Sequence, residues 1–281
     1  MPGRNHFRLS CRAAFGRWRL GCCLLAAAAA AAAPASSPAP LGPEERALLA
    51  RTNLFASVPE RFHATLRVSR PDWPRPLRVE VWRGGREALL ARVLEPRQAG
   101  RFLLQLGSEH YLIAPGARQP VRLGAGVAAA GPVSFEQVLG IDVERDFDVE
   151  RVEAGERIVT FHLVARPGGA AARATPRARW TVDRIRLRPV RLDVVLGDGR
   201  TSRVVEFMSF LDARTPMPSH VVFKDVLRGG PPTGVEVERF EANAVSEGLF
   251  SLSDHAARAQ LPPLPPTRLT RRPPIREVSV Q

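Results

Sequence analysis

The sequence predicts a mainly β domain built as an antiparallel meander. Three observations predict it. Apolar residues recur at period two over much of the chain from Arg61 onward. Glycine- and proline-centred turns separate these stretches at short intervals, among them Gly84-Gly85, Gly107-Ser108, Pro115-Gly116, Asp198-Gly199 and Gly229-Gly230. No long helical run comes between them, so the strand–helix–strand rhythm of a parallel sheet is missing. About ten or eleven strands result, which fits a barrel or a strongly curved open sheet.

The first 35 residues read as a secretory signal. Arg4, Arg8, Arg12, Arg17 and Arg19 form a basic start without an acid. Leu20 to Ala33 is an apolar run short for a bilayer span, and Ala33-Pro34-Ala35 is a small-x-small cleavage site. The alternative is an uncleaved anchor helix. Cys11, Cys22 and Cys23 all fall inside this segment. Leu24 to Ala33 follows the cysteines, whereas a lipoprotein signal places its apolar run before them. The expected mature chain has no cysteine, which excludes disulfides and thiolate metal sites from it.

Residues 36–42 form a Pro/Ser linker. Pro43 to Phe55 reads as a helix, with Pro43 at its start, Glu44 and Glu45 in the first turn, and Leu48, Leu49 and Phe55 on a partial apolar face. Strands then alternate. Phe62, Ala64, Leu66 and Val68 oppose Arg61, His63, Thr65 and Arg67. Leu77, Val79 and Val81 oppose Arg78 and Glu80. Val190, Leu192, Val194 and Leu196 oppose Arg191 and Asp193, and Val235 and Val237 oppose Glu236 and Glu238. Leu123 to Gly131 is a small-residue loop. Ser134 to Gly140 reads as one or two helical turns, with Ser134 as N-cap and Gln137 at the capping-box position. Beyond Leu261 the chain is rich in Pro and Arg and lacks an apolar period, which predicts a disordered tail over 262–281. The domain is expected to span residues 43–261.

The formal charge is +13, and only Lys224 is lysine. Taking the signal's five arginines from the 41 basic residues leaves +8 against 28 acidic residues. Basic composition can indicate nucleic acid, but these arginines are dispersed among strands, and export argues against that partner. They read as a solvated β surface, with attraction to anionic lipid head groups as the alternative. No catalytic motif is present: no G-x-S-x-G elbow, no P-loop, and Gly124-Ala125-Gly126 neither follows a parallel strand nor opens a long helix. His63, His110, His162, His220 and His255 show no metal spacing. Asp146 and Asp148 sit in a charged stretch that reads as solvated. No cofactor is implied.

Some strands are apolar on both faces. Val205, Phe207 and Leu211 oppose Val204, Met208 and Phe210; Ile158 and Val164 oppose Val159, Phe161, Leu163 and Ala165; Leu103 adds to Phe102, Leu104 and Leu106. Such strands are covered on both sides. The cover is expected to be the N-terminal helix and the Ser134 turn. The residues are either ordinary core or the wall of a lipid-sized hollow.

The order of elements resembles the outer-membrane lipoprotein-sorting family, the LolA-like carriers, over most of residues 45–255. The stretches that carry the likeness are Arg86 to Pro96, Ala99 to Leu104, His110 to Pro115, Ser134-Phe135-Glu136, Trp180 to Asp183 with Pro189 and Asp198-Gly199-Arg200, and Gly248 to Leu252, which resembles the family's closing strand. Two features depart from the family pattern: Gly131-Pro132-Val133 replaces a Gly-Ser-Asp-Phe element, and Gln137 stands where an acidic residue is common. The resemblance implies an unclosed β-barrel, a half-barrel with short helices over its concave face. It implies a periplasmic carrier that shelters acyl chains of lipids or lipoproteins, with transient contacts to an inner-membrane donor and an outer-membrane acceptor. A lipid-sensing regulatory module, a structural envelope-binding protein and a secreted enzyme are the alternatives.

The residues expected to line an acyl site are Leu104, Phe161, Leu192 and Phe207, with Trp82 and Trp180 as further candidates. The signal reading has its own test. N-terminal sequencing of the exported protein is expected to begin at Ser36, and a chain keeping Met1 in the membrane fraction would overturn it.

Overall fold

Residues 41–95, 100–123, 142–167, 175–211, 217–242 and 245–261 are described by the computed structural model. The expected signal segment, most of the linker, the loop after Leu123, the Ser134 turn, Gly131-Pro132-Val133, Gln137 and the tail lie outside them.

Helix α1 spans Pro43–Thr52, with Pro43 in its first turn beside Glu44 and Glu45, and Arg51 in its last. All three placements match the helix dipole and the orphan groups of a helix start. The helix does not run on to Phe55. Asn53 is extended, and its side chain accepts a hydrogen bond from the Phe55 N–H, opening a separate α2 at Leu54–Ser57.

Thirteen antiparallel strands follow in one sheet. The first six are β1 (Arg61–Ser69), β2 (Leu77–Gly84), β3 (Ala88–Val93), β4 (Phe102–Leu106), β5 (Glu109–Ile113) and β6 (Val121–Leu123). After a short α3 (Val143–Asp146) come β7 (Phe147–Ala154), β8 (Ile158–Ala165), β9 (Arg177–Asp183) and β10 (Arg188–Val195). The last are β11 (Thr201–Phe210), β12 (Pro218–Asp225) and β13 (Thr233–Ala242), before a 3-10 helix (Glu247–Phe250) and α4 (His255–Ala259). The strand order is β6-β5-β4-β3-β2-β1-β13-β12-β11-β10-β9-β8-β7. Two hairpin meanders are joined along β1 and β13, and the edges β6 and β7 are unpaired with each other. The sheet is therefore an unclosed, curved half-barrel.

The count exceeds the expected ten or eleven because both edge strands escape the period-two pattern. β6 has three residues, and β7 carries charge along most of its length, as edges do. Gly248 to Leu252 is not a closing strand; its core is the 3-10 helix. Asp146 is buried, contrary to the solvated reading, and burial raises its carboxyl pKa against the pull of Arg145. Asp193 is buried too, flanked by Arg191 at 2.8 Å and Arg179 at 3.4 Å.

Cross-strand pairing carries one apolar face from β3 through β1 and β13 to β7. Ala64 faces Val81 and Phe240; Leu66 faces Val79 and Val237. Val205 pairs with Phe223 and Leu192, and Leu192 with Trp180. Leu48, Leu49, Leu54 and Val58 from the α1–α2 segment pack on this face. The reverse face is mostly polar and laced with ion pairs, such as Arg92–Glu80 at 2.5 Å, Arg78–Glu238 at 2.7 Å and Lys224–Glu206 at 2.7 Å. His63 stacks on Trp82 there, with ring centroids 5.0 Å apart, between Glu80 and Glu241.

Toward β2–β5 the reverse face turns apolar. Trp82, Leu90, Phe102, Leu104 and Ile113 form a second cluster, covered by Leu249 and Phe250. Arg258 ties this cover down by donating to the carbonyls of Leu249 at 3.1 Å and Ser251 at 2.5 Å. Among the described residues no helix is long and apolar enough to cross a membrane, and no three His, Cys, Asp or Glu side chains gather as a metal-holding group.

Phe250 lies directly against Gly84, where an added Cβ would sit 2.1 Å from its ring. Gly84→Ala is therefore expected to dislodge the C-terminal cover and destabilise the fold by about 1–3 kcal/mol, read by thermal melting. An unchanged melting temperature would show that the cover contributes little.

Candidate binding site

The apolar face is continuous, but its most aromatic part lies under α1. Trp180 has Phe161 opposite it on β8 and Leu192 opposite it on β10. The Trp180 and Phe207 rings meet edge-on, 5.5 Å apart at 71°. Phe161, Trp180, Leu192 and Phe207 thus form one patch, and all four are buried.

Trp82 and Leu104 are elsewhere. Trp82 pairs with Leu90, which pairs with Leu104, and all three belong to the reverse-face cluster. The thickness of the sheet separates these two residues from the other four. Val81, next to Trp82, points to the main face, so parity along β2 fixes the division.

A small polar knot fastens the helical cover. Trp180 Nε1 donates to Thr52 Oγ1 at 3.4 Å, and the Thr52 hydroxyl donates back to the Leu48 carbonyl at 2.9 Å. Asn53 Nδ2 donates to Asp142 Oδ1 at 2.8 Å and Glu144 Oε2 at 3.1 Å. Asp142 Oδ1 also accepts the Arg145 N–H at 3.1 Å and so caps α3. The break at Asn53 makes this possible, because it frees the amide from the helix and turns it toward the start of α3.

Arg83 is the member of this region that the sequence reading missed. It continues the parity of Leu77, Val79 and Val81 and therefore lands on the apolar face, only 3% exposed. Its guanidinium stacks 4.1 Å over the Phe55 ring, and Nε donates to the Gly85 carbonyl at 3.1 Å. Nη1 is buried without a hydrogen-bond partner. Burial, aided by Arg86, lowers its pKa to about 10, with Glu60 and Asp142 acting in the opposite direction. At neutral pH this is a cation with spare donors on an apolar face. Parity alone was the available signal.

Where α1 begins, a cleft of about 250 Å³ opens between the helix and the ends of β7–β10. Ala47, Leu48, Val159 and Leu187 form its apolar wall, and Glu44, Glu45, Arg51 and Arg184 its polar one. Pockets that take drug-sized ligands run from about 300 to 1,000 Å³. The cleft is below that range.

No protein-family profile matches the sequence, and no curated protein matches it. Solved structures do match. The structure is similar to a LolA superfamily protein from Nitrosomonas europaea, with 17% identity and a TM-score of 0.60, covering 73% of this chain and 96% of that one. It is similar to an outer membrane lipoprotein-sorting protein domain from Vibrio parahaemolyticus, with 12% identity and a TM-score of 0.56, covering 74% and 94%. A DUF1329 family protein from Desulfovibrio piger matches with 13% identity and a TM-score of 0.57, covering 77% and 99%. The class defined by this architecture is the unclosed barrel with a helical cover. The particular fold is LolA-like.

Asn53 generates the test of the knot. Asn53→Ala removes two bonds to carboxylates and the side-chain cap of α2. It is expected to lower the unfolding free energy by about 2 kcal/mol in a denaturant titration. A change below about 0.5 kcal/mol would show that apolar contact alone positions the cover.

Proposed function

We propose that the protein is an exported periplasmic carrier that binds acyl chains of lipids or lipoproteins between the α1–α2 cover and the apolar face. One observation carries the reading: a continuous apolar face, aromatic at its centre, is covered there by two short helices rather than by a second sheet. Such a cover is held by side-chain contact and a few hydrogen bonds. Each methylene that passes from water into an apolar wall contributes about 0.8 kcal/mol, so an acyl chain can replace the contacts that the helices give up. Arg83 supplies spare donors for an ester or carboxylate oxygen at the edge of the wall. Outer-membrane lipoprotein sorting is the role for which the Vibrio parahaemolyticus neighbour is named.

In this reading Phe161, Trp180, Leu192 and Phe207 contact the chain. Trp82 and Leu104 pack the C-terminal cover on the reverse face and serve as controls. Displacement of a fluorescent fatty acid, measured beside thermal melting, tests the assignment. Phe207→Asn, which sets an amide in an apolar wall, is expected to reduce both acyl affinity and stability. Leu104→Ala is expected to cost about 3 kcal/mol of stability while leaving the affinity of the folded protein unchanged. A wild-type protein with no saturable acyl binding would end the carrier reading.

A further inference from the structure

Six large apolar side chains are exposed around one end of the sheet, where β8 begins, β9 turns into β10, and β11 ends: Ile158, Ile185, Leu187, Val190, Met208 and Leu211. The register brings these segments together. Ile158 pairs with Asp183, Asp183 pairs with Arg188, and Arg188 stacks 4.8 Å over the Phe210 ring.

The exposure is built into the backbone. The β9–β10 turn and the first residue of β10 read Arg184-Ile185-Arg186-Leu187-Arg188, a strict alternation of base and aliphatic. Ile185 is 71% exposed at its tip. Leu187 has φ of +53°, a left-handed conformation that a leucine rarely adopts and a glycine would take without strain. The turn is fixed by Asp183, whose carboxylate accepts the N–H groups of Ile185 at 3.0 Å and Arg186 at 2.9 Å and the Arg157 Nε at 2.8 Å. Val190 and Met208 each fall at an irregularity in the register. Pro189 pairs with Val182 and Arg191 with Thr181, leaving Val190 over; Phe207 pairs with Val221 and Ser209 with His220, leaving Met208 over. A bulge re-aims the extra side chain out of the ladder. Met208 is 58% exposed as a result.

The charge around these residues is biased toward cations. Arg157, Arg184, Arg186 and Arg188 stand in these segments beside Asp183, which pairs with Arg157, and Glu156. Asp183 is buried in its turn, and Glu44 is paired with Arg184 at 3.7 Å. Arg186 has no ion-pair partner among the described residues. Single aliphatic side chains project here from turns and bulges, set among arginines. They suit a lipid interface, where the aliphatic tips enter the acyl boundary and guanidinium groups meet phosphate.

We propose that this rim is a docking surface for an anionic phospholipid bilayer. The inference stands apart from the acyl-site reading, although Leu187 belongs both to the rim and to the wall of the cleft under α1. The experiment is co-sedimentation of the full-length purified protein with vesicles of phosphatidylethanolamine and phosphatidylglycerol, against phosphatidylcholine alone. Binding is expected to favour the anionic vesicles and to weaken with salt. Arg186→Gln is expected to weaken it about five-fold. Ile185→Ser combined with Leu187→Gly is expected to weaken it about ten-fold or more. Leu187→Gly alone keeps the fold intact, since it relieves the strained backbone, so its melting temperature should not fall while its vesicle binding does. A wild-type protein indifferent to anionic vesicles, or binding unchanged in these variants, would overturn the proposal. Fatty-acid displacement separates the two readings: vesicle binding without acyl uptake supports the rim and removes the acyl site, and acyl uptake without vesicle binding does the reverse.

Discussion

An open sheet has one apolar face and no partner sheet to bury it. Everything else in this structure answers that constraint. Because β6 and β7 do not pair with each other, the face cannot hide inside a closed barrel. It is covered instead by the short α1–α2 segment. Apolar contact does most of the holding. Leu48, Leu49, Leu54 and Val58 are each buried, and full burial of such a side chain contributes about 1.5–3 kcal/mol. The hydrogen bonds of Thr52 and Asn53 contribute about 1 kcal/mol each and fix where the helices sit rather than whether they stay.

Much of the architecture was legible from alternation. Phe62 to Val68 and Val235 to Val237 needed no more than a period of two, but the apolar excess on β8 and β11 did not mean cover on both sides: Ile158 and Met208 are exposed. The edges were illegible for a physical reason: an edge strand such as β7 avoids the pattern that would make it stick to another chain. The bulges at Val190 and Met208 were also invisible. An extra residue shifts parity, and parity was the only instrument available, so Val190 read as core although it is exposed.

The candidate site shows the same limit. Period two assigns residues to faces within a strand, but it cannot phase one strand against the next. Leu104 and Phe161 looked equivalent, and only pairing through Leu90 and Trp82 on one side and Trp180 on the other puts the sheet between them. Arg83 was overlooked for the opposite reason. Its parity was correct, but an arginine on an apolar face contradicts the usual rule that charge faces water. The structure resolves the conflict by stacking the guanidinium on Phe55.

The seam between β1 and β13 has a consequence for how the chain folds. Nearly every other strand pairs with its neighbour in sequence, so each meander can zip up hairpin by hairpin from local contacts. The seam instead joins Phe62 to Ala242, almost the full span of the domain. Its closure entropy is the largest of any pairing in the sheet, and it can form only after the last strand has emerged. Until then β1 presents a nine-residue unpaired edge with Phe62, Leu66 and Val68 open to solvent. Loop closure thus makes this seam the costliest pairing of the sheet, and an unpaired β1 edge is where the chain is most open to mispairing with another copy of itself.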